Sequence, residues 1–151
     1  MLSTIFLPFR PHTGFGEVKW FTDHIEVLPR GTRFQMFGAD KKAKTFLSLG
    51  VAPSIDAIHR TPGINWWGAE QITWADVAAV ETVAAQQGSV DYMFTHDAPE
   101  TVAPRIAAII GRNRDSKYDP IIGYCAEGRR RLTNAFNAVQ PKVLLTPLFL
   151  M

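Results

Sequence analysis

The sequence has one cysteine, Cys125, and almost no excess charge, a formal net +2 over 151 residues. A lone thiol excludes an intramolecular disulfide and a cysteine-built zinc site, and it suits a reducing cytoplasm, the expected location. The small net charge leaves no footprint for tracking nucleic acid, which needs clustered Lys and Arg. The one local cluster, Arg129 to Arg131, reads as a solvated helix face. Long apolar runs are missing too: none approaches the roughly 18 residues of a membrane span. The early stretch LSTIFLPF has no basic residues before it and no small-residue cleavage signature after it, so no signal peptide is expected. Repeats and low-complexity segments are absent.

What is present is enough apolar sequence, 46% of residues, for one globular domain with a core over residues 1–151. Residues 1–20 carry Pro8, Pro11, Gly14 and Gly16 and read as a loop or irregular edge. Strands are expected at 24–28, 33–38 and 45–50, with the first two joined as a hairpin through Pro29 to Thr32, so that the three form an antiparallel meander. Residues 51–70 have no clean period and two prolines, which predicts a long ordered loop.

From Thr73 the pattern becomes helical. Thr73 and Asp76 form a capping-box start, Val77, Val80 and Ala84 share one face, and Gly88 supplies the stop. A buried strand follows at 90–95. Pro104 suits the first turn of a short helix through Gly111, with a charged connector after it. Ile121, Cys125, Leu132, Phe136 and Val139 lie at helical spacing and predict a second helix ending before Pro141, and a strand closes the series at 142–146. Strand, helix, strand, helix, strand is the order of an α/β chain.

His96 stands just past a predicted core strand, where ligand sites gather in α/β sheets, and neutral imidazole is a common metal ligand. A histidine that only ends a strand and bonds a backbone carbonyl is the alternative. Asp56 and Arg60 either position a phosphate with Ser54 or order the loop by pairing with each other. Trp66 and Trp67 read as packing against the helix that follows. His12, His24 and His59 have no partner at metal-ligand spacing, and Gly14-Phe15-Gly16 lacks the third glycine of a dinucleotide loop.

Residues Gly50, Ala52, Ser54, Asp56, Arg60, Trp66, Trp67, Glu70, Thr95, His96 and Pro99, in this order and spacing, resemble the calcineurin-like metallophosphoesterases, especially the small bacterial and phage members. The resemblance implies part of an α/β/β/α sandwich and hydrolysis of phosphate mono- or diesters by two divalent cations such as Mn, Fe, Ni or Zn. Such a pair polarises a phosphoryl oxygen and lowers the pKa of a bridging water.

Relatives bind those metals through Asp-x-His, Gly-Asp-x-x-Asp, Gly-Asn-His-Asp/Glu, a histidine after a strand, and Gly-His-x-His. Only the fourth is present, as His96, and Val51 stands where many relatives have a second glycine. The expectation is therefore a partial domain without the family's N-terminal strands, binding metal weakly and inactive or weakly active by itself. A non-catalytic remnant or interaction module is the alternative, and a small nucleic-acid-binding domain ranks below it. An uncovered sheet edge and the apolar tail Leu148-Phe149-Leu150 are expected to promote self-association.

Overall fold

A computed structural model describes residues 19–22, 25–50, 52–54, 56–100 and 119–146. The readings made for residues 1–18, His24, Val51, the short helix at 104–111, the connector after it and the tail 148–150 lie outside the described residues.

The architecture is mixed α/β. Strands β1 (Lys19–Thr22) and β2 (Ile25–Val27) pair antiparallel as a two-stranded sheet. Strands β3 (Thr32–Phe37), β4 (Ala43–Leu49), β5 (Tyr92–Thr95) and β6 (Val143–Leu145) form a four-stranded sheet in that order. The β3–β4 pair is antiparallel, and β4–β5 and β5–β6 are parallel. Helix α1 (Trp74–Gln87) connects β4 to β5 and helix α2 (Asp119–Val139) precedes β6.

The expected hairpin between 24–28 and 33–38 is corrected by this topology. β2 pairs with β1, and β3 pairs with β4 across the turn Gly38–Lys42, so the three expected strands are not one meander. Lys19 and Trp20, expected in a loop, belong to β1. The segment Pro29–Thr32 does turn, with the Thr32 N–H and hydroxyl both donating to the Pro29 carbonyl. It turns onto β4, however: the Gly31 N–H donates to Ser48 O at 2.7 Å, with Gly31 at φ +80°, a conformation that glycine adopts without a Cβ penalty. The Arg30 guanidinium then reaches across to the Gln71 carbonyl and to Asp76 at the start of α1. These long-range bonds, absent from any local pattern, divert the chain from a hairpin.

Helix α1 begins and ends as its sequence predicts. The Thr73 hydroxyl accepts from Asp76 N while the Asp76 carboxylate accepts from Thr73 N, and Gly88, at φ +74°, closes the other end. Burial pushes the Asp76 carboxyl up, but hydrogen bonds from Thr73 and Arg30 outweigh it and hold the group below the usual carboxylate range. At the far end, the buried Arg33 of β3 donates to the carbonyls of Gln87, Gly88 and Ser89. A cation there satisfies acceptors that the helix itself leaves open and complements its dipole.

Both helices cover one face of the sheet. Leu47, Leu49 and Met93 from the strands meet Val77, Val80 and Ala84 of α1 and Leu132, Ala135 and Val139 of α2 in a single core. Right-handed crossovers that add successive parallel strands in one direction place both helices on the same side. Val90, expected within the strand, is buried just ahead of it, and Phe94 is half-exposed because it points to the other face.

Candidate functional site

Parallel pairing aligns the carboxyl ends of β4 and β5. Leu49 stands opposite Thr95, so the chain leaves β4 through Gly50 next to where it leaves β5 through His96. Past Thr95 the turn is locked locally: the Thr95 hydroxyl donates to Asp97 O at 2.8 Å, and Ala98 N donates to the Asp97 carboxylate at 2.8 Å. Pro99 is buried, and Glu100 N donates to the Thr133 hydroxyl on α2. His96 itself is exposed to solvent.

Over its described residues, 52–54 and 56–70, the loop after β4 is held by internal bonds, as expected, and contains two short 3-10 turns at Ala57–His59 and Gly68–Glu70. Its order comes from the residues singled out in the sequence. The Ser54 hydroxyl donates to Glu70 Oε2 at 3.0 Å, closing a sixteen-residue span. Arg60 pairs with Asp56 at 2.9 Å and donates to the Asn65 carbonyl at 3.1 Å. The Arg60 hydrogen bond lowers the Asp56 pKa, and the same bond raises that of Arg60. Asn65 accepts from Thr61 N through its side chain, and Gly63, at φ +78°, donates its N–H to Trp66 O.

Helix α2 forms the other wall. Pro53 rests so close to it that a Cβ on Gly128 would lie 2.5 Å from Pro53 Cγ. Cys125 is buried against the Pro53 carbonyl, and that burial, with Asp97 acting in the same direction, pushes its thiol up despite Arg129. Gln71 joins the two walls, donating to Tyr124 O at 3.0 Å and accepting from Arg131 at 2.9 Å. Trp66 meets Tyr124 edge-on with ring centroids 6.3 Å apart. The indole N–H and the phenol hydroxyl are both buried, near each other but short of hydrogen-bond geometry. Burial raises the Tyr124 pKa, with the indole acting against it.

Two features of this region differ from or add to the sequence reading. Trp66 meets Tyr124 of α2, a partner the sequence reading did not name, and Trp67 is 51% exposed. The arginine run is not a uniformly solvated face. Arg130 and Arg131 both pair with Glu127 and lie against the Trp74 ring, and Arg131, 17% exposed at its side chain, also donates to Ile72 O. Gln71 and Tyr124, which join loop to helix, carry no distinguishing pattern in the sequence.

Among the described residues no three of His, Cys, Asp and Glu come together as a metal-binding group. His59 is exposed on its 3-10 turn, and His12 and His24 lie outside the described residues. The described residues therefore do not fit a two-cation centre. Compared with known proteins, the chain matches no family model, no curated protein and no solved structure. The metallophosphoesterase resemblance rests on the chain's own residues.

Proposed function

We propose that this chain is built on the scaffold of a metallophosphoesterase-type hydrolase of phosphate mono- or diesters, and that by itself it has no substantial activity. What carries the reading is the parallel register of Leu49 with Thr95, which brings the Ser54–Glu70 loop and His96 to one end of the sheet. In α/β sheets that end is where substrates are bound. In this reading His96 is an inherited metal ligand, and Ser54, Asp56 and Arg60 shape the substrate side. Because Ser54 and Arg60 are already paired with Glu70 and Asp56, their role in the isolated chain is to order the loop.

One imidazole cannot set the separation of two cations or compensate their charge. The test is hydrolysis of bis(4-nitrophenyl) phosphate and 4-nitrophenyl phosphate with Mn or Ni added. The expected rate equals that of metal alone, with weak metal binding by titration. Metal-dependent hydrolysis lost in His96→Ala contradicts the inactivity. A separate polypeptide supplying the family's other ligand segments is expected to restore metal binding and hydrolysis, and its failure to do so counts against the lineage.

A non-catalytic interaction module is the second reading. It is favoured by the loop itself, which is held rigid by internal bonds yet leaves Ile64 73% and Trp67 51% exposed. Exposed apolar side chains on a pre-ordered loop are a contact surface of low ordering cost.

A further inference from the structure

The loop after β4 meets helix α2 through a contact that leaves two polar atoms without partners. Trp66 and Tyr124 stand edge to face, with Trp66 Nε1 and the Tyr124 hydroxyl both sealed from solvent and neither making a hydrogen bond. Buried polar groups in folded proteins nearly always have a partner, and a sealed, unpaired one costs more than a single ring contact returns. Of the ties that hold this loop down, the ring contact is therefore the weak one.

The base of the loop is held quite differently. There the Ser54 hydroxyl donates to Glu70, Arg30 donates to the carbonyls of Ala69 and Gln71, and Arg131 donates to the Gln71 side chain. Further out, Thr61 to Trp66 bond to one another. The N–H groups of Ile64 and Asn65 donate to Thr61 O, Thr61 N donates to the Asn65 side chain, and Gly63 N donates to Trp66 O. Among the described residues, the ties from this unit to its surroundings are the flexible Arg60 side chain on Asn65 O and the Trp66–Tyr124 contact. Arg60 and Trp67, which flank it, are both in extended conformation, and residues 61–65 are all exposed. A unit of this kind turns as a body without breaking its own bonds.

We propose that Thr61–Trp66 is a lid on helix α2 that opens and closes within the native state, hinged at Arg60 and Trp67 and kept poised by the unpaired Trp66 and Tyr124 groups. Opening gives the indole N–H and the phenol hydroxyl to water together. The Ser54–Glu70 bond and the arginine ties at the base stay closed, so the carboxyl end of the sheet keeps its frame while the wall between loop and helix is uncovered. The motion requires neither metal nor substrate.

Hydrogen exchange of the whole chain tests this, read by NMR at the Trp66 indole N–H, whose signal is assigned by its loss in Trp66→Phe. Exchange there is expected to be insensitive to urea well below the unfolding midpoint, as for a local opening, while core amides of α1 and α2 speed up. Tyr124→Phe removes a hydroxyl that is unpaired only when the lid is closed, and is expected to slow the indole exchange by about tenfold. An indole N–H that exchanges only with global unfolding overturns the lid. So does a Tyr124→Phe chain whose indole exchange is unchanged or faster, because the hydroxyl is then not what loosens the contact. If Tyr124→Phe does not fold, the urea dependence in the parent chain decides.

Discussion

Lys142 Nζ lies 2.7 Å from Asp91 Oδ1 and locks the amino ends of three neighbouring strands. The other Asp91 oxygen accepts from the backbone N–H and the hydroxyl of Thr45, at 2.9 and 3.1 Å. Residues from just before β5 and β6 and from within β4 are thus tied to one carboxylate, at the end of the sheet opposite His96. The Lys142 bond first, then the Thr45 N–H, hold that carboxyl well below the usual range, against some loss of hydration.

This pair makes stability depend on pH in both directions. An unfolded aspartate titrates near about 3.9, and Asp91 is lower when folded, so its contribution is present above that value and is lost as pH falls through the folded pKa. Lys142 is raised, so its contribution is complete below the unfolded lysine pKa and is lost as pH rises through the folded one. Urea midpoints measured from acid to alkaline pH are expected to fall at both extremes. In Asp91→Asn both falls are expected to be shallower, and a profile identical to that of the parent chain contradicts the assignment.

Gly128 and Gly123 share helix α2 but have different surroundings. A Cβ at 128 meets Pro53 at 2.5 Å, whereas a Cβ at 123 meets nothing within 4 Å. Gly123→Ala is expected to stabilise the chain by up to about 1 kcal/mol through helix propensity. Gly128→Ala gains the same propensity but forces Pro53 away, with an expected net loss of about 1–3 kcal/mol. Urea denaturation of the two variants checks the sign of each.

Arg60→Ala removes both the Asp56 pair and the bond to Asn65 O. Because the pair is exposed, the effect on global stability is expected to be small. Limited proteolysis is expected to cut faster between Ala52 and Glu70, with amide exchange in α1 and α2 unchanged. Unaltered cleavage in that loop removes the ordering role assigned to Arg60.

Arg33→Met keeps the aliphatic stem but leaves the carbonyls of Gln87, Gly88 and Ser89 without their cation. The expected cost is about 1–3 kcal/mol, read from chemical denaturation, with amide exchange speeding up first in the last turn of α1. A loss confined to β3 amides contradicts a helix-capping role.

Local chemistry was legible wherever neighbours in sequence are also neighbours in space. The capping box of Thr73 and Asp76, the apolar stripe of Val77, Val80 and Ala84, the stop at Gly88 and the stripe from Ile121 to Val139 all read directly, because helix periodicity and caps are set within a few residues. The order of strands and helices from β4 onward followed, and with it the α/β class and the place of His96 at a strand end. Residues Ser54, Asp56 and Arg60 were visible as polar groups in an apolar-flanked loop. The pairing of Asp56 with Arg60, four residues apart, was legible too, but the partner of Ser54 and the bond from Arg60 to the Asn65 carbonyl were not. Only the tertiary structure paired Ser54 with Glu70, set Trp66 on Tyr124, turned Arg131 inward toward Gln71 and separated β2 from β3. Each of those choices is made between segments far apart in the chain, where the gain from a buried hydrogen bond or ring contact outweighs the local preference for a hairpin or a solvated arginine. A one-dimensional pattern carries no record of that competition.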